Sequence, residues 1–154
     1  MRQALTEEIE RRMADASGMW LFLDYDGTLA EFALTPDEVL PDPALIRLIE
    51  GLARMERVRV TVLSGRRMAH IRELLPVPGV ILAGTYGLEI EHPVAGPALR
   101  VDAAVIRPVL DEIAKRWREI IRGRVGFSLE DKGLALALHA RFADDAEAEQ
   151  ALAE

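Results

Sequence analysis

Hydrophobic residues follow two rhythms along this chain, and the rhythm changes near residue 100. Leu5, Ile9 and Met13 stand at steps of four and predict a one-sided helix over 3–15. Residues 19–23 are then five apolar positions in a row, stopping at Asp24. An unbroken run of that length reads as a buried parallel strand. Residues 31–43 hold three prolines and read as a loop. Asp42 and Pro43 then form an N-cap and first-turn pair that opens a helix, with Leu45, Leu48, Ile49, Leu52 and Met55 as its apolar stripe. A second strand over 58–63 ends at Ser64-Gly65-Arg66. The helix after it turns Met68, Ile71, Leu74 and Leu75 inward, Pro76 stops it, and residues 80–83 make a third strand. Alternating strand and helix predicts a parallel sheet with helices on its faces.

The second rhythm is different. Residues 86–91 and 98–101 read as short strands around a Pro/Gly turn. Ile106, Val109, Leu110, Ile113, Trp117, Ile120 and Ile121 form one face of a helix over 104–122, with Pro108 in about its first turn and Gly123 at its stop. Residues 125–130 and 134–141 pair as a hairpin around Asp131-Lys132-Gly133, and a last helix starts near Asp144. The expectation is therefore an α/β half-sheet over 1–100 followed by an α+β unit over 101–154. A three-stranded parallel sheet is small and would leave its third strand as an open edge, so both halves read as incomplete.

Composition narrows the function classes. The chain has 154 residues, a formal net charge of -7 and no cysteine. Uniform acidity argues against a nucleic-acid or membrane-surface partner and leaves any anion site to be built locally. Without cysteine there are no disulfides, thiolate metal sites or cysteine nucleophiles, which suits a reducing, cytoplasmic setting. No apolar run approaches the roughly 18 residues needed to span a bilayer. The three histidines, His70, His92 and His139, form no pair with metal-ligand spacing.

The candidate chemistry lies at the strand ends. In an open α/β sheet, ligands bind beyond the carboxyl ends of the strands. The three predicted strands end at Asp24-Tyr25-Asp26-Gly27-Thr28, at Ser64-Gly65-Arg66 and at Gly84 to Gly87. Asp24 and Asp26 are two residues apart where a strand breaks into a turn, so both carboxylates can reach one pocket once the strand alternation is lost. Such a pair offers hard oxygen ligands for magnesium, a nucleophile for phosphorus and an acid for the leaving group. The plainer reading makes them ordinary residues of an Asp-Gly turn. Ser64 reads either as a helix N-cap or as part of a phosphate cradle at a helix N-terminus. Arg66 either contacts substrate oxygens or sits in solvent beside Arg67. His139 and Arg141 would share one strand face, and Glu130 and Lys132 would be exposed charges at a hairpin tip.

Asp24-Tyr25-Asp26-Gly27-Thr28-Leu29 resembles the first motif of the haloacid dehalogenase-like (HAD-like) superfamily, and Ser64-Gly65-Arg66 resembles its second. Four further stretches follow in the order and approximate spacing seen in trehalose-6-phosphate phosphatases. They are Leu63-Ser64-Gly65-Arg66, Leu82-Ala83-Gly84-Thr85-Tyr86-Gly87-Leu88-Glu89, Leu129-Glu130-Asp131-Lys132-Gly133 and Leu138-His139-Ala140-Arg141. The loop Thr35-Pro36-Asp37-Glu38 is also similar. The resemblance implies a HAD-like Rossmannoid core over 1–100 and the start of an α+β cap over 101–154. It implies Mg2+ as cofactor and a sugar phosphate, trehalose 6-phosphate, as substrate, and it leaves a trehalose-phosphate synthase open as a partner. Asp24 would be the nucleophile and a metal ligand. Asp26 would be the general acid/base and a metal ligand through its carbonyl. Thr28, Ser64 and Gly65 would hold the phosphoryl group, Arg66 and Tyr86 would lie beside the substrate, and Glu130 and Lys132 would bind sugar hydroxyls.

Two departures accompany the resemblance. Tyr86 stands where the family usually has histidine, which leaves another glycosyl phosphate open as substrate. The family's third-motif lysine and fourth-motif acidic cluster are also expected beyond the cap, and Asp144-Asp145 comes too early to be that cluster. A non-catalytic binding module is the reading from another class.

Overall fold

The computed structural model describes residues 2–33 and 38–154, with side chains described from Thr6 onward in the first helix. The stretch Thr35 to Asp37 and the side chain of Leu5 lie outside the described residues. The chain divides into two compact units, Met1–Ala98 and Leu99–Glu154.

The first unit opens with helix α1 (Arg2–Asp15), on which Ile9 and Met13 stay about half exposed. A five-stranded sheet follows, in the spatial order β1 (Met19–Asp24), β2 (Val58–Leu63), β3 (Ile81–Gly84), β4 (Glu89–His92), β5 (Gly96–Leu99). The first three strands are parallel, and β4 runs antiparallel to β3. Helix α2 (Pro43–Ala53) connects β1 to β2, and α3 (Met68–Leu74) connects β2 to β3. The Asp42 carboxylate accepts the Ala44 N–H at 2.7 Å, and Pro43, with its fixed φ, occupies the first helical turn. Leu45 and Ile49 of α2, Val60 and Val62 of β2, Ile71, Leu74 and Leu75 around α3, and Leu82 of β3 are buried together with Tyr25. Full burial of each such aliphatic side chain contributes about 1.5–3 kcal/mol, so these residues fix the strand ends against the helices. The register sets Asp24 beside Leu63 and Leu63 beside Ala83, which brings the carboxyl ends of three strands level.

Two expectations about the sheet change. The run 19–23 is not buried on both faces. Leu21 and Leu23 pack on the core, whereas Trp20 and Phe22 are 50% and 58% exposed and stack at 5.0 Å between ring centroids. Leu21 and Leu23 face the cluster to which α2 and α3 contribute, and Trp20 and Phe22 alternate to the opposite face. Conversely, β3 is not an edge, because the segment after it folds back as β4 and β5.

In the second unit, α4 (Ala103–Ile120) is capped by Asp102, whose carboxylate accepts the Ala104 N–H at 2.8 Å. Pro108 lies in the second turn rather than the first. Strands β6 (Ser128–Asp131) and β7 (Leu136–His139) pair antiparallel and are shorter than their apolar runs. Lys132 to Ala135 form the turn, closed by the Lys132 N–H to the Ala135 carbonyl at 2.9 Å. Arg107 of α4 clasps that turn: Nη1 donates to Asp131 at 2.8 Å and to the Gly133 carbonyl at 3.0 Å, while Nη2 donates to Asp111 at 2.7 Å. These bonds from Arg107, then the Gly133 N–H, hold the Asp131 carboxyl below its ordinary pKa. Helix α5 (Asp145–Ala153) ends the chain, capped by Asp144. Among the described residues no helix is long and apolar enough to cross a membrane.

Candidate active site

The turn after β1 is organised by Tyr25. Its side chain is 1% exposed, and its carbonyl accepts the N–H groups of Thr28, Leu29 and Ala30 at 3.4, 2.9 and 2.9 Å. Gly27 has φ +81°, a left-handed conformation that favours glycine at this turn. Because Tyr25 points inward, Asp24 and Asp26 are on the more exposed side. The alternation of burial therefore continues through the pair rather than being lost there, and that continuation puts both acids on one side. Thr28 is exposed at the same turn. Burial pushes the Tyr25 hydroxyl above its ordinary pKa, with Arg66 pulling the other way, so the ring stays neutral as an anchor.

The second loop meets the first through Arg66. Its side chain is 8% exposed, which removes the solvent alternative. Arg66 Nε donates to Asp26 Oδ1 and Oδ2 at 3.1 and 3.0 Å, and Nη2 donates to Oδ1 at 2.8 Å. The guanidinium lies over the Tyr25 ring at 5.9 Å, and Nη1 approaches both ring nitrogens of His70 at 3.3 and 3.2 Å. Ser64 is buried, and its hydroxyl accepts the Arg66 N–H at 3.0 Å. It is not a helix cap, because α3 begins only at Met68, after Arg67. At the start of that helix Glu89 accepts the Met68 N–H at 3.2 Å.

The third loop carries backbone strain. Thr85 and Tyr86 both adopt left-handed conformations, with φ of 48° and 58°. For residues other than glycine such conformations cost about 1–3 kcal/mol each and persist only when their surroundings enforce them. Here the Thr85 N–H donates to the Arg66 carbonyl at 2.7 Å and the Tyr86 N–H to the Ser64 carbonyl at 3.0 Å, while the buried Thr85 hydroxyl donates to Glu89. Tyr86 is thereby held 66% exposed beside Gly65, where an added Cβ would lie 2.6 Å from its ring. Gly65 therefore leaves the space that the tyrosine occupies.

Asp24, Asp26, Thr28, Ser64, Gly65, Arg66 and Tyr86 thus come together at one sheet edge. Glu130 and Lys132 belong to the second unit and form a cluster of their own. Glu130 Oε2 lies 3.5 Å from Lys132 Nζ and 2.9 Å from His139 Nε2. Lys132 is 8% exposed, so it is not the solvated tip charge its hairpin position implied. Two neighbours had no role in the sequence reading. His70 was legible as the residue four positions beyond Arg66, one helical turn away. Glu89, which binds the start of α3 and the Thr85 hydroxyl, closes the family-like stretch from Leu82 but had no role assigned to it.

For a hard divalent cation the available donors are the Asp24 carboxylate and the oxygens of Asp26. Among the described residues no group of three His, Cys, Asp or Glu side chains forms a metal cage. Magnesium commonly binds through one or two carboxylates together with waters and phosphate oxygens, so the donor type fits.

Comparison with known proteins bears on the family and the fold. The chain is 32% identical over 121 residues to a trehalose-phosphate phosphatase of Mycobacterium ulcerans, covering 79% of this chain and 30% of that protein. It is 34% identical over the same length, with the same coverage, to one of Mycobacterium avium. Among solved structures it resembles the C-terminal domain of Candida albicans trehalose-6-phosphate phosphatase, with a TM-score of 0.77 and 22% identity, over 96% of this chain and 52% of that one. A trehalose-6-phosphate phosphatase related protein gives a TM-score of 0.69 at 24% identity, over 88% and 57%. At those identities the likeness concerns the fold, which is α/β and HAD-like with a mainly parallel sheet. The chain thus spans about a third of the curated relatives and about half of the solved chains. The trehalose-phosphatase family model matches residues 22–154, a range that holds all three strand-end loops and the Glu130 hairpin, and the chain belongs to that family.

Proposed function

We propose that the protein carrying this chain removes phosphate from trehalose 6-phosphate with magnesium, through a phosphoryl-aspartate intermediate. The observation that carries the reading is the meeting of Asp24, Asp26 and the Ser64–Arg66 loop at the carboxyl ends of β1 and β2, with Arg66 bonded to Asp26. The Asp24 carboxylate attacks phosphorus, and the bond from phosphorus to the sugar oxygen breaks. Asp26 gives its proton to that departing oxygen. Asp26, now a carboxylate, then takes a proton from water as the water attacks the phosphorus of the acyl phosphate. Inorganic phosphate leaves and the Asp24 carboxylate is restored. Thr28, the hydroxyl of Ser64 and the Gly65 backbone hold the phosphoryl oxygens during both steps. The Asp24 carboxylate and the Asp26 carbonyl would hold Mg2+, which would supply neutralisation of phosphoryl charge. Positioning and charge neutralisation must supply most of the acceleration, since uncatalysed hydrolysis of phosphate monoesters is among the slowest reactions known.

The units are read as core and cap, over about 1–100 and 101–154. In that reading Glu130 and Lys132, whose side chains lie 3.5 Å apart, bind sugar hydroxyls. Cytoplasmic residence belongs to the same reading. The exposed Tyr86, standing where the family usually has histidine, favours a second possibility, another glycosyl phosphate. Comparing kcat/KM for trehalose 6-phosphate with a panel of glycosyl phosphates tests both. Trehalose 6-phosphate should lead the panel with magnesium present, and a different leader would shift the substrate while keeping the chemistry.

A further inference from the structure

We infer that Arg66 serves the reaction through Asp26, as the residue that positions the acid/base, and does not itself bind substrate. This rests on the phosphatase reading above. The guanidinium is 8% exposed, and its Nε and Nη2 edge faces the Asp26 carboxylate, whose own side chain is 27% exposed. Other groups of the protein also surround it, among them the Tyr25 ring at 5.9 Å and the two ring nitrogens of His70 at 3.3 and 3.2 Å from Nη1. A planar fork held on these sides has one orientation, so the carboxylate it grips has one as well.

The distribution of bonds identifies the reacting oxygen. Oδ1 accepts from both Nε and Nη2, at 3.1 and 2.8 Å, whereas Oδ2 accepts only from Nε, at 3.0 Å, among the Arg66 contacts. A carboxyl oxygen has two lone-pair directions. Oδ2 therefore keeps the capacity to carry the proton to the leaving oxygen and to take one from water, while Oδ1 serves as the anchor. The anchor is specific to arginine, since lysine brings a point charge without the fork.

The experiment separates this role from phosphate binding. kcat/KM reports steps up to the first phosphoryl transfer. The alkoxide leaving from trehalose 6-phosphate needs the Asp26 proton, whereas p-nitrophenolate leaves from p-nitrophenyl phosphate with little help. The ratio of the two kcat/KM values, measured on the full protein with magnesium, therefore reports acid delivery. Positioned acid–base groups contribute about 10²–10⁴-fold, so the ratio should fall by about 10²-fold in Arg66→Met and by less in Arg66→Lys. KM for the sugar phosphate should stay near its wild-type value in both. If Arg66→Met fails to fold, Arg66→Lys decides on the same ratio. Equal losses on both esters, or a raised KM with kcat preserved, would overturn the inference in favour of phosphate binding or a merely structural role. A wild-type protein that releases phosphate from neither ester refutes the phosphatase reading itself, which is a different result.

Discussion

Gly84, the last residue of β3, tests how tightly the site loops are assembled. Its φ of -91° and ψ of 167° suit any residue, so alanine brings no backbone strain there. What alanine meets is backbone. The added Cβ would lie 2.8 Å from the Met68 nitrogen, 3.0 Å from the Met68 Cα and 3.1 Å from the Arg66 carbonyl oxygen. None of these is the end of a flexible side chain. Relief requires the start of α3 to move off the strand, against buried Met68, Ile71, Leu74 and Leu75 and against the bond from Thr85 to the Arg66 carbonyl. Overpacking of this kind costs about 1–3 kcal/mol, and the stiffer unfolded chain returns about 0.4–1 kcal/mol. The net expectation for Gly84→Ala is a loss of about 1–2 kcal/mol. Gly51, exposed within α2 with nothing near its added Cβ, is the opposite case. Gly51→Ala should gain up to about 1 kcal/mol from helix propensity. Urea denaturation in a Trp117→Phe background lets Trp20 report on the first unit alone. A Gly84→Ala protein as stable as its parent, alongside a stabilised Gly51→Ala, would refute the close approach of β3 and α3.

Two further outcomes follow from local chemistry. Asp42→Ala should lower the stability of the first unit by about 1 kcal/mol in the same urea assay, and Asp42→Asn should largely restore it, because the cap needs only an acceptor for the Ala44 N–H. Asp131 has a lowered pKa in the folded protein, so its contribution is present above the usual carboxylate range and is lost as pH falls through the lowered value. The stability gap between wild type and Asp131→Asn, followed by Trp117 fluorescence, should be widest near neutrality, begin to narrow near about pH 4 and close only below the lowered value; a gap that does not vary with pH would contradict the Arg107 clasp.

Much of the fold was legible because its signals are local. Asp42 and Pro43 announce their helix by cap chemistry, and the inward residues of α3 follow from spacing alone. The run 19–23 misled because five apolar residues look the same whether a strand has one covered face or two; the face on which α2 and α3 pack is not written in the run itself. The candidate site divides in the same way. The strand-end motifs located Asp24, Asp26 and Ser64 in the chain, since a parallel sheet gathers such ends. The pairing of Arg66 with Asp26 joins side chains 40 residues apart and depends on the Tyr25 anchor between them. Lys132 looked like a tip charge because hairpin position does not reveal burial, and the contacts of Glu89 arise only once β4 turns back beside β3.

The central claim is that Asp24 is the nucleophile of a phosphoryl transfer. The direct measurement is to mix the full protein with trehalose 6-phosphate and magnesium, quench in acid within a turnover, and map the phosphoryl group by peptide mass spectrometry. The account predicts phosphate on the peptide containing Asp24, at Asp24, and neither phosphoenzyme nor phosphate release in Asp24→Asn. Turnover that persists in Asp24→Asn, or a phosphoryl group carried on any other residue, would contradict it.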